Sequence, residues 1–255
     1  MQALTGISLL LFVATTAIVG VRMLLLARRT GERPELLMGA GMALVGGVGY
    51  PGGIISRFGL GSVGEMSFPI WFFSTACTQL GIALIYAFTW QVFRPKATWA
   101  KALVVAGVGF MVAGLGGMAH ALATAPPGAD SAVVTRGPIF IGMVGYAGCF
   151  LWTAFEGFHH HRMALRRLVL GLTDPIVVNR FFLWGFFGFM ASALTGISAV
   201  TALLGGRPSG TPVTMLPMGV LGVAAAIAMY LAFFSPAWYV GWLQGQVPKA
   251  SSGQS

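Results

Sequence analysis

Acidic residues are the scarcest chemistry in this chain: six Asp and Glu stand against fifteen Lys and Arg, and charged residues make up only 8% of its 255 positions. A water-soluble fold needs a densely charged, mixed-sign surface, which a chain that is 56% hydrophobic and this poor in charge cannot build. Cysteine occurs twice, at Cys77 and Cys149, each inside an apolar run and without CxxC or Cys/His spacing. A disulfide framework and a structural zinc site are thereby set aside. The only lysines are Lys96, Lys101 and Lys249, none of them in the last apolar run, so a retinal Schiff base has no place to form there. Asp130 and Asp174 both lie outside apolar runs, which removes an intramembrane aspartyl dyad.

What the chain has in abundance is apolar length. Runs of about 20 residues, enough to cross roughly 30 Å of hydrocarbon, recur seven times, at about 3–27, 34–56, 67–93, 99–123, 137–163, 176–204 and 214–243. The predicted fold is therefore an all-α membrane protein, one seven-helix domain over 1–245 with a short cytoplasmic tail, 246–255. Mean hydropathy of +0.83, 37 Gly and 13 Met fit close packing of such helices. The first run is long, has no basic residue before it and is followed by Arg28, Arg29 and Arg33, so it reads as a retained helix with an external N-terminus rather than a signal peptide.

Orientation follows from basic residues. Arg28, Arg29, Arg33, Arg94, Lys96, Lys101, Arg162, Arg166, Arg167, Arg180 and Lys249 fall on one side of the seven runs, and Arg57, Arg136 and Arg207 on the other. By the positive-inside rule the N-terminus is outside and the C-terminus inside. The net charge of +9 is accounted for by these clusters, which suit anionic lipid headgroups and not nucleic acid. Trp71 and Phe72 mark an outer aromatic belt, and Trp90, Trp99, Trp238, Tyr239 and Trp242 an inner one. Thr173, Asp174 and Pro175 form a helix start, with ArgArgLeuValLeuGlyLeu before them lying along the inner interface. The longest connection, about Thr124 to Arg136, carries the turn signal APPGAD. Gly39, Ala43 and Gly47 share one helix face and Gly109, Ala113 and Gly117 another, predicting close packing along both stripes. There is no convincing internal duplication.

Ionisable groups at membrane depth are costly and so are functional candidates. Arg22 and Glu156 lie at similar depth in the first and fifth runs, and Glu156 is expected to pair with Arg22 or with a basic residue of the inner loops. Gln79 is the polar residue near the middle of the third run. His120 lies near the outer end of the fourth run, whereas His159, His160 and His161 lie at the inner end of the fifth and point about 100° apart. No metal or haem site is expected from them; His159 to His161 with Arg162, Arg166 and Arg167 read as a pH-sensitive basic collar for a partner or lipid. Ser198 and His120 share a level, but a serine in such a helix bonds to its own backbone, and no enzyme is expected.

Ser235-Pro236-Ala237-Trp238-Tyr239 is similar to the PxxY turn of G-protein-coupled receptors. The residue before Pro236 is Ser where Asn is usual, and the third run ends in GlnValPheArgPro rather than an acidic-Arg-Tyr triplet, so the match is not accepted and Pro236 reads as a kink. The stretch EGFHHHRMALRRLVLGLTDPIVVNRFFLW, Glu156 to Trp184, resembles inner-loop segments of bacterial seven-helix membrane proteins of uncharacterised role. It implies a bacterial inner membrane and no activity. It also directs attention to Asn179 and Arg180 at the inner rim.

These features favour a receptor-like binding module: a bundle that accepts a small apolar or amphipathic ligand from the outer leaflet, without resident cofactor unless a non-covalent lipid or pigment, and signals to a separate partner at the cytoplasmic face. A small-molecule transporter and a structural subunit of a larger membrane complex are the alternatives.

Overall fold

The computed structural model describes residues 2–58, 67–126, 129–204 and 212–245. The tail 246–255, with Lys249, lies outside the described residues, as do Arg207 and the Pro127-Gly128 step of APPGAD. The described residues are helices joined by short connections, with no strand among them: α1 (Gln2–Thr30), α2 (Arg33–Met42), a π-helical segment (Ala43–Gly49), α3 (Tyr50–Phe58), α4 (Phe68–Phe93), α5 (Thr98–Thr124), α6 (Ser131–Val134), α7 (Arg136–Val169), α8 (Pro175–Leu203), α9 (Pro212–Phe234) and α10 (Ala237–Gly245). Seven helical stretches are long and apolar enough to cross a membrane, the second built from α2, the π segment and α3. The helices pack in chain order around a ring that closes with α9 against α1, while α4 also leans on α7. One apolar core, with Val19, Met42, Ile85, Met111, Phe187 and Met229 among its members, draws on all seven.

The π segment has a local cause. Pro51 has no N–H to give and its ring crowds the carbonyl four residues back, so the preceding turn widens, and the Tyr50 N–H reaches five residues back to Val45 O. Widening shifts the phase of the helix and corrects the first packing stripe. Gly39 does lie against Leu24 backbone, but Gly47 faces open space, and Gly46 and Gly49 instead meet Thr16 and Thr78. The second stripe is corrected too. Gly109 is open and Gly117 touches Pro138, whereas the close approaches of α5 to α7 are at Gly107 with Gly145 and at Gly114 with Gly142, where an added Cβ would stand 2.6 Å from backbone.

Two further differences lie at one end of the bundle, called the basic face because Arg28, Arg94, Lys101, Arg166 and Arg180 sit at the helix ends there. The ArgArgLeuVal segment does not lie flat; it continues α7 to Val169. The helix ends where Gly171 adopts φ +69°, with Gly171 N donating to Leu168 O and Leu172 N to Arg167 O, both at 2.9 Å, a Schellman closure. Asp174 then caps α8 by accepting from Ile176 N at 2.7 Å, with Pro175 in the first turn as predicted. Pro236 breaks the last span outright instead of kinking it: α9 ends at Phe234, Ser235 takes φ 41°, and α10 begins at Ala237.

Candidate functional site

Two features of the bundle are candidates, one toward each end of α4. At the basic face, Glu156 is fully buried on α7, with Trp152 and His160 four residues away on either side and therefore on the same face. Its partner is Arg94. Residues that precede proline avoid the α conformation, so α4 stops before Arg94-Pro95 and Arg94 leaves the helix at φ −139°. From there its Nε donates to Glu156 Oε1 at 2.7 Å, and Trp152 Nε1 donates to the same oxygen at 3.2 Å. The guanidinium also lies 5.9 Å from the Trp99 ring centroid, which ties the start of α5 into the cluster. Glu156 Oε2 has no hydrogen bond among the described residues and faces His160 Nδ1 at 3.6 Å.

Of the two expected pairings for Glu156, the structure builds the one with a loop arginine and not the one with Arg22. Arg22 is exposed on the far side of the ring, its guanidinium 4.6 Å from the Phe234 ring centroid, between α1 and α9. α7 has 34 residues, roughly 51 Å of helix, and Glu156 stands level with the end of α4 while α7 continues to Val169.

The histidines diverge as the helical geometry requires. His159 stacks on Phe155, His160 packs against Phe93 and Phe181 and donates from Nδ1 to Glu156 O at 3.0 Å, and His161 donates from Nδ1 to Val178 O of α8 at 2.9 Å. Among the described residues no three His, Cys, Asp or Glu groups are placed to share a metal ion. Arg162, Arg166, Arg167 and Arg180 are exposed. Asn179 Nδ2 donates to Tyr239 Oη at 2.7 Å, holding α10 against α8. Tyr239 is thus a buried packing residue and not part of the aromatic belt, where Trp238 and Trp242 remain exposed. Ser198 donates to Leu194 O at 2.9 Å, and His120 is exposed.

At the other end, reading the sequence missed a cleft of about 400 Å³ where α1, α3, α4 and α7 meet. Tyr50 at the end of the π segment, Trp71, Thr75 and Tyr146 line it. The Tyr50 ring stands edge-on to Phe12 of α1 at 5.4 Å, leaving its hydroxyl without a hydrogen bond among the described residues; that of Tyr146 has none either. Gln79, one turn beyond Thr75 on α4, is 7% exposed, and its amide likewise makes no hydrogen bond among the described residues. The available signal was the glycine-rich run ending in Tyr50-Pro51, which marks a widened turn only once its neighbours are known.

No protein-family model, curated protein or solved structure matches the chain.

Proposed function

We propose that this protein is a receptor-like binding module that takes a small apolar or amphipathic ligand from the leaflet opposite its basic face and passes a helix shift to a separate partner at that face. The observation that carries this reading is the 400 Å³ cleft lined by Tyr50, Trp71 and Tyr146 beside a π-helical segment. Its volume lies within the range of small-molecule sites, and π segments concentrate at functional positions.

Coupling has a physical route. α4 and α7 both line the cleft, and the same two helices are joined at the other end by Arg94 and Glu156. A ligand that changes their separation in the cleft loads that ion pair, and the exposed arginines further along the α7–α8 hairpin are where a partner with an acidic surface would dock. The basic face is cytoplasmic in this reading, by the positive-inside rule, and the resemblance of the hairpin points to a bacterial inner membrane.

Gly53 lines the cleft, and a Cβ added there meets nothing within 4 Å. Gly53→Phe is expected to fill the cleft, and unchanged thermal unfolding checks that the bundle is undisturbed. Native mass spectrometry of gently solubilised protein should show a small-molecule adduct on the wild type that this variant loses; identical spectra would remove the cleft as the binding site. Spin labels at Lys96 and Arg166 should report a distance that changes on ligand binding, and an unchanged distance would remove the signalling role.

A further inference from the structure

We propose that the cleft selects an uncharged amphiphile, an apolar tail whose head carries hydroxyl or carbonyl oxygens. This rests on the cleft being the binding site. The inference comes from what its lining offers a head group. No Asp, Glu, Lys, Arg or His lines it, and a charged head leaving water for such a site would find no counter-charge to offset its desolvation. The lining nonetheless carries a few hydrogen-bonding oxygens. Ser74, Thr75 and Thr78 spend their protons on the carbonyls of Ile70, Trp71 and Ser74, at 2.6, 2.8 and 2.9 Å, and the Ser74 and Thr78 oxygens stand against Gly52 and Gly49, so Thr75 is left to offer a ligand an acceptor. The phenol hydroxyls of Tyr50 and Tyr146, which have no hydrogen-bond partner among the described residues, can donate and accept. A hydroxyl head satisfies both kinds of group, and a carbonyl head satisfies the phenols.

Depth argues for a tail. Tyr50 lies eight residues before Phe58 and Tyr146 ten after Arg136, roughly 12–15 Å of helix. A head at that level is below the interface, where a wholly polar solute gains little and a molecule already dissolved in the leaflet arrives at low cost.

The test compares three probes with the same eighteen-carbon chain and different heads: monoolein (uncharged, two hydroxyls), oleate (anionic) and oleylamine (cationic), each titrated by native mass spectrometry against wild type, Gly53→Phe, Gly53→Leu and the Tyr50→Phe/Tyr146→Phe double variant. Monoolein should bind the wild type, be lost from both Gly53 variants, and bind the double variant about tenfold more weakly, the loss expected for two modest hydrogen bonds. Oleate and oleylamine should show no binding that depends on Gly53. If a charged probe binds as tightly as monoolein and is displaced by the Gly53 variants, or if the double variant binds monoolein unchanged, the cleft stands as a binding site and its selectivity for an uncharged oxygen-bearing head is wrong. If neither Gly53 variant alters binding of any probe, the cleft itself is not the site, and the proposed function falls with the inference.

Discussion

Glu156 shows how one residue's role depends on what reaches it. A buried carboxylate loses the hydration that stabilises its charge, and Arg94 and Trp152 replace that hydration at Oε1 alone. Removing the arginine leaves the charge uncompensated. Arg94→Ala is expected to destabilise the bundle by up to about 3–5 kcal/mol, the range for breaking a buried pair, with the lower end favoured because Arg94 is partly exposed. Glu156→Gln keeps shape and an acceptor for Trp152, so its cost should be smaller, and it should reduce the damage done by Arg94→Ala. A double-mutant cycle on thermal unfolding in detergent measures this coupling; the same cycle for Arg22 and Glu156 should be additive, since their side chains lie on different sides of the ring. Additivity of Arg94 with Glu156 would mean the contact contributes nothing.

Among the helices and their turns, glycines separate two effects that composition alone merges. Gly171 holds φ +69° with open space around it, so Gly171→Ala should cost about 1 kcal/mol purely through left-handed backbone strain. Gly109 sits in the body of α5, also open, and Gly109→Ala should be stabilising by up to about 1 kcal/mol through helix propensity. Gly114→Val belongs to neither case: its Cβ would stand 2.6 Å from Gly142 backbone, and forcing α5 away from α7 should cost about 3 kcal/mol or abolish recovery of folded protein. Melting curves of the three variants should rank Gly109→Ala above wild type, then Gly171→Ala, then Gly114→Val. Any other order would contradict the packing of α5 on α7 or the Schellman turn.

For the molecule as a whole, the testable quantity is which face is cytoplasmic. With Cys77 and Cys149 replaced by alanine, a cysteine placed at Ala129 should be labelled by an impermeant reagent added outside intact cells, and a reporter fused after Gln254 should be active only in the cytoplasm. The reverse pattern would invert the bundle and place the cleft in the cytoplasmic leaflet, overturning the proposed direction of signalling.

Seven helical spans, their approximate limits and the cap at Asp174 were legible in the sequence, because length, hydropathy and capping chemistry act locally and outweigh everything else in a chain with so few charges. The basic end of the bundle was legible for the same reason. The partner of Glu156, the phase of the glycine stripes and the cleft were not. Each depends on contacts between segments far apart in the chain: Arg94 reaches Glu156 only because a proline ends α4 at the level of that carboxylate, and Gly46 replaces Gly47 at the helix contact only because the π turn ahead of Pro51 rotates the face that α1 meets. Periodicity assumes a regular helix and says nothing about which neighbour faces it. Those choices belong to the tertiary packing, which also brings Tyr50 and Tyr146, 96 positions apart, onto one cleft.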